Sequence, residues 1–83
     1  MEQAHIDRIA EVILAYLASH PNASDSVDGV RRFWLGASAE AAPEIVVLAL
    51  EQLERHHVVG WRLLPDGERL YAARHTGTTP RSP

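Results

Sequence analysis

Apolar residues recur at intervals of three and four in three segments of the chain, which is the spacing of an amphipathic helix. The first segment covers residues 4–18, with a stripe formed by Ile6, Ile9, Ile13 and Leu17. The second covers about 26–35 and ends at Gly36, a residue that accepts the left-handed conformation found after helices. The third covers about 43–57 and begins at Pro43, which a first helical turn tolerates. The pattern therefore predicts three helices.

The second predicted helix begins after a polar turn, where either Asp25 or Ser26 is suited to be the N-cap. Its apolar face carries Val27, Val30 and Trp34, and Phe33 lies beside it. Since helical spacing accounts fully for Trp34, we expect this indole in the core.

A β-hairpin is predicted after the third helix. Residues 58–64 and 68–74 flank the loop PDG, in which proline and glycine favour a tight turn. This loop places Trp61 opposite Tyr71. If their face turns inward, Trp61 belongs to the core, and if the other face does, the two rings form an exposed pair. The face that contains the rings is bulkier, which favours Trp61 as a core residue.

Three helices followed by a hairpin resemble the winged-helix branch of the helix-turn-helix superfamily, most specifically in ALEQLERHHVVGWRLLPDGERLYA, residues 49–72. The resemblance implies an α+β fold, mainly α, with a three-helix helix-turn-helix core and a two-stranded β-hairpin wing. The resemblance covers one domain over residues 1–75, and residues 76–83, which have nothing able to pack, are predicted to be a flexible tail. His57 stands where the family commonly has a capping glycine, so we expect a less sharply defined end of the third helix.

Composition narrows the range of chemistry. The 83 residues include no cysteine, which excludes disulfides and thiolate metal sites, and His56 and His57 point about 100° apart on a helix and are unsuited to share an ion. We expect no metal, no cofactor and no small-molecule substrate, and the lack of catalytic motifs predicts a protein that is not an enzyme. The chain has no apolar run long enough for a membrane and no signal-like N-terminus, which predicts a cytoplasmic location and no membrane partner.

The charge pattern weighs against nucleic acid. The formal net charge is -3, although all eight basic residues are arginine. The resemblance implies a third helix that enters the major groove, yet its outward side carries Glu44, Leu48, Glu51 and Arg55. Glu44 in the first turn occupies the place that a phosphate would take at a helix N-terminus.

The apolar residues on this outward side predict a different role. Val47 and Leu48 either lie under the connector 36–42 or the tail, or form an exposed patch of the kind that marks an interface. We favour the interface, which predicts a protein-interaction module or accessory subunit that binds another protein or a second copy of itself. The predicted interface residues are Ile45, Val47, Leu48, Glu51 and Arg55, and Trp61 and Tyr71 on the wing form a second candidate contact.

The alternative is a winged-helix transcriptional regulator that binds DNA. Its side chains would be the hydrogen-bond donors of the third helix and the arginines of the wing, namely Gln52, Arg55, Arg62, Arg69 and Arg74. Arg31 and Arg32 on the second helix would extend this basic flank, although Asp28 lies next to them.

Overall fold

The computed structural model describes residues 2–36 and 39–74, and the predicted tail lies outside them. Three helical segments precede a hairpin, so the predicted α+β, mainly α architecture is confirmed. The elements in chain order are α1 (Glu2–Ser19), β1 (Ser24–Asp25), α2 (Val27–Gly29) continued by a π-helix (Val30–Trp34), α3 (Pro43–Arg55), β2 (Val59–Leu63) and β3 (Arg69–Ala73).

The second predicted helix is a short α-helical turn that widens into a π-helix. Ser26 is its N-cap, with the Ser26 hydroxyl accepting from the Gly29 amide at 3.2 Å. The Leu35 amide donates to the Val30 carbonyl at 3.1 Å, a bond across five residues rather than four. Val30, Trp34 and Leu35 are all buried as a result, which confirms Trp34 as a core residue. Apolar positions four apart suit both helix types, so the pattern could not reveal the wider turn.

The end of α3 is well defined, and the expectation of a less sharp end is wrong. His57 adopts φ = 62°, the left-handed conformation that a glycine would take. The Val58 amide donates to the Leu53 carbonyl and the His57 amide to the Glu54 carbonyl, both at 2.9 Å. These two bonds form a complete Schellman motif, and His57 bears the conformational cost that glycine would avoid.

The hairpin has the predicted register, with Trp61 opposite Tyr71. Gly67 supplies the left-handed residue of the turn, at φ = 92°. The sheet nevertheless has three strands rather than the two predicted, because β1 pairs antiparallel with β3 in the order β1-β3-β2. Two residues are too few to show an alternating pattern, and the segment reads as a turn and cap in the sequence.

One apolar core joins the three helices to the base of the sheet. The predicted stripes of α1 and α3 face each other, and Val59 and Tyr71 close the core from the sheet side. No polar or charged side chain is buried among the described residues, apart from the hydroxyl-bearing Tyr71. The α3 residues in the core are those that the helical spacing predicts: Val46, Ala49, Leu50 and Leu53.

Replacing His57 with glycine should stabilise the protein. Glycine removes the left-handed strain of about 1 to 2 kcal/mol but gives the unfolded chain more entropy, which leaves a net gain of about 0.5 to 1 kcal/mol. His56→Gly is the control, because His56 has φ = -92° and gains nothing from glycine. Urea denaturation measures both changes, and an equal loss of stability in the two variants would contradict the strain at His57.

Candidate functional site

The outward face of α3 carries a narrow row of side chains opposite the core, which we call the outer stripe: Glu44, Leu48, Glu51 and Arg55. At about 100° per residue these four positions fall within some 60° of one another. Glu44 and Arg55 are exposed, Glu51 is half-buried, and Leu48 is 41% exposed. The described part of the connector does not cover Leu48, so its isobutyl group meets solvent.

The predicted interface residues beside the outer stripe differ in exposure. Val47 is half-buried and adds apolar surface next to Leu48. Ile45 is also half-buried but packs against the core, so only part of its side chain is available to a partner. The apolar part of the candidate surface is therefore centred on Leu48 and Val47.

A shallow cleft of about 390 Å³ lies between the end of α3 and the hairpin, and it is lined by Glu51, Glu54, Arg55, Trp61 and Arg69. The Trp61 indole nitrogen donates to a Glu54 carboxylate oxygen at 3.1 Å. The Arg69 guanidinium carbon lies 4.1 Å from the centre of the Trp61 ring, a cation–π arrangement. The indole is thus held between an acid of α3 and a cation of β3.

Charge in this cleft is balanced rather than basic. The pKa of Arg69 is raised above its ordinary value, first by the hydrogen bond that its guanidinium donates to the Tyr71 hydroxyl and then by the negative charges of Glu54 and Glu51. The cleft is thus lined by two acids, Glu51 and Glu54, and two bases, Arg55 and Arg69.

The predictions for the two aromatic residues of the hairpin need correction. Trp61 is 39% exposed, so the favoured placement in the core is wrong. Tyr71 is 1% exposed, so it is not available as a contact residue and the exposed pair does not exist. Both rings lie on the inward face, but the core ends beneath Tyr71 and Val59, and Trp61 extends past its margin towards α3. Sequence alternation identifies the face but not where along the strand the core stops.

The residues of the DNA alternative do not form one surface. Gln52 faces α1, where its side chain donates to Asp7 at 2.9 Å and accepts from Gln3 at 3.0 Å. Arg55 and Arg69 line the cleft, while Arg62 lies on the other face of the hairpin beside Leu70 and Ala72. The aliphatic stem of Arg74 lies over Gly60 on that same outer face.

Arg31 and Arg32 also lie apart from the outer stripe. Asp28 pairs with both of them, at 3.5 Å to Arg31 and 3.2 Å to Arg32. They line a second cavity of about 610 Å³ that also includes His5 and Glu40. The prediction that Asp28 offsets the positive charge of Arg31 and Arg32 is confirmed. Glu40 adds a further acid at the cavity wall.

Sequence reasoning missed Glu54 and Asp7. Glu54 reads as an ordinary exposed acid of α3, and its bond to Trp61 depends on how the hairpin folds back. Asp7 reads as a solvated residue of α1, and its bond to Gln52 depends on how α1 packs on α3. Neither role has a local signal, because each arises from a contact between separate elements.

Within residues 2–36 and 39–74, no three histidine or acidic side chains are grouped closely enough to hold a metal ion. In the same part of the chain, no helix combines the length and apolar character needed to cross a membrane.

No protein-family model matches the chain, and no curated protein matches it. The order of three helices and a β-hairpin is compatible with a winged-helix topology. Fold alone does not assign a function, which depends on the chemistry of the surface.

The contact between Asp7 and Gln52 should be visible in the titration of Asp7. Hydrogen bonds from Gln52 and then Gln3 lower the pKa of the Asp7 carboxyl. A depressed pKa contributes stability above the unfolded value of about 3.9, and this contribution is lost as the pH falls through the folded pKa. NMR titration should show an Asp7 pKa below its usual value, and Gln52→Met should raise it. An unchanged pKa in Gln52→Met would contradict the contact.

Proposed function

We propose that the chain is a small winged-helix protein that acts as a protein-interaction module or accessory subunit and binds its partner with the outer stripe of α3. The observation that carries this proposal is the exposure of Leu48, at 41%, between Glu44 and Glu51. A DNA-reading helix needs donors at these positions, whereas an apolar side chain bordered by charges suits the centre and rim of a protein interface.

The start of α3 supports a partner other than nucleic acid. Ala42 is the N-cap and makes no side-chain capping bond, Pro43 has no amide hydrogen, and the Ile45 amide donates to the Ala42 carbonyl. The Glu44 amide and the helix dipole leave a positive field at this end. Glu44 in the first turn satisfies this field with a carboxylate. A phosphate that approached the same amides would be repelled by that charge.

The cleft supports a protein partner through Trp61. Tryptophan is enriched among the residues that contribute most to protein interfaces, because a large rigid ring loses little entropy on binding. The bond to Glu54 and the contact with Arg69 hold the ring in place before any partner arrives. Glu51 and Arg55 belong both to the outer stripe and to the lining of the cleft, so the outer stripe and Trp61 border one surface.

Leu48→Asp should abolish partner binding and leave the fold intact. A buried charge without a counter-ion at the centre of an interface costs several kcal/mol, whereas on the free monomer it stays in water. Leu14→Asp is a matched control, since Leu14 on α1 is 42% exposed and lies on another helix. Quantitative affinity purification from the native cell, together with sedimentation, compares the two variants with the wild type.

The two variants, Leu48→Asp and Leu14→Asp, have opposite expected results. We expect the partner, or the self-association, to be lost with Leu48→Asp and kept with Leu14→Asp, while thermal unfolding shows that both variants fold. Capture that is equal for the two variants would reject the outer stripe as the binding surface.

The alternative, a DNA-binding regulator that uses Gln52, Arg55, Arg62, Arg69 and Arg74, is addressed by a mobility-shift assay. We expect no shift of mixed duplex DNA at low salt, because Gln52 is bonded to α1 and acids lie beside Arg69. A DNA binder would give a shift that weakens steeply between low and moderate salt as counterions are released. Such a shift, lost in Arg62→Glu, would favour the regulator over the interaction module.

A further inference from the structure

We propose that the partner of the outer stripe is a second copy of this chain, whose α3 lies antiparallel across the first about a two-fold axis. This inference rests on the proposed function, since it names the occupant of the same surface. It is carried by the order of charges along the outer stripe, which has the acid Glu44 at one end and the base Arg55 at the other, with Leu48 and Glu51 between them.

The spacing of the end charges fits such a pair. Glu44 and Arg55 are separated by about three helical turns, so they lie on one face and roughly 16 Å apart along the axis. In a two-fold pair, if Glu44 of one copy contacts Arg55 of the other, then Arg55 of the first copy contacts Glu44 of the second. An antiparallel arrangement therefore places Glu44 of each copy opposite Arg55 of the other and creates two equal ion pairs.

The same register brings the apolar residues together. A rise of about 1.5 Å per residue sets the two Leu48 side chains roughly 4.5 Å apart along the helix axes. Each Leu48 then covers the other and the aliphatic stem of Glu51 in the facing copy. The same register sets the two Glu51 side chains equally close, so this pair of like charges opposes the dimer, and Arg55 and Arg69 of the same chain line the cleft beside Glu51.

The two end charges, Glu44 and Arg55, are available to a facing copy. Neither Glu44 nor Arg55 forms an ion pair among the described residues, in contrast to Arg31 and Arg32. The helix dipole explains an acid at the start of α3 and a base at its end. The helix dipole does not require Glu44 and Arg55 to lie in line with the exposed Leu48 on the face opposite the core.

The area of the surface indicates a weak dimer. A stable dimer buries about 800 Å² on each partner, and one face of a 13-residue helix supplies less than this. The wing side of the outer stripe adds Trp61 and Leu63, which are 39% and 63% exposed and alternate onto the same face of β2. We expect a dissociation constant of roughly micromolar to tens of micromolar.

Charge reversal tests the arrangement directly. In sedimentation equilibrium at low salt, Glu44→Arg and Arg55→Glu should each raise the dissociation constant about tenfold, because each variant places like charges opposite each other twice. An equimolar mixture of the two variants should associate within about threefold of the wild type, since a mixed pair restores opposite charges at both contacts.

The mixture separates pairing from any effect on folding. Each variant weakens the helix dipole contribution of its own chain, and mixing does not restore that contribution. Arg8→Glu and Glu11→Arg on the exposed side of α1 serve as matched controls, and we expect neither to change the association. Rescue by mixing supports the antiparallel pair.

Three outcomes would overturn this inference, and they are distinct from failure of the proposed function. A wild-type chain that stays monomeric up to millimolar concentration rejects the second copy, and association that the charge variants leave unchanged rejects the outer stripe as the contact between copies. Loss in both single variants without rescue in the mixture rejects the antiparallel register. In the first two cases, loss of capture in Leu48→Asp with capture kept in Leu14→Asp would still uphold the interaction surface, with a different protein as its partner. In the third case a second copy remains the partner and only the register of the pair is rejected.

Discussion

The packing of α1 against α3 through aliphatic side chains is the contact on which the other features depend. It sets the rotation of α3 about its axis, because Val46, Ala49, Leu50 and Leu53 have to face inward. A core built from apolar side chains leaves the charged groups to the surface. The positions of Glu44, Leu48 and Arg55 therefore follow from the inner face of the helix, and the chemistry of the outer stripe is a consequence of which residues the core does not use.

Much of this arrangement is predictable from the sequence, because it depends on periodicity. The three helices, the inner stripe of α3, the PDG turn and the pairing of Trp61 with Tyr71 all have local signals. Other features lack such signals. The π-helix uses the same apolar spacing as an α-helix, β1 is too short for a pattern, and the exposure of Trp61 depends on where the core stops. His57 differs from these features, because a local preference is present but is overruled. Histidine disfavours the left-handed conformation, and the surrounding Schellman bonds impose it.

The candidate surface was predicted better on α3 than on the wing. Helical position alone identified Leu48, Glu51 and Arg55 as outward, since the opposite residues are strongly apolar. The wing required knowledge of contacts between elements, which is why Tyr71 was included wrongly and Glu54 was overlooked. The hydrogen bond between Trp61 and Glu54 links the two parts across the cleft. The lining of the cleft thus includes an acid whose contact has no local signal in the sequence.

The short strand β1 has a consequence for how the protein folds. Its pairing joins Ser24 to Ala72 and so links the connection between the first two helices to the last strand of the sheet. Contacts between residues so far apart in sequence are made only after most of the chain has been ordered, because closing a long loop costs entropy before the contact repays it. The β2–β3 hairpin pairs residues that are close in sequence, whereas the β1–β3 ladder and the packing of α1 on α3 both close long loops. The single helices and the hairpin are therefore expected to form first, and the β1–β3 ladder is expected to form together with the contacts between α1 and α3.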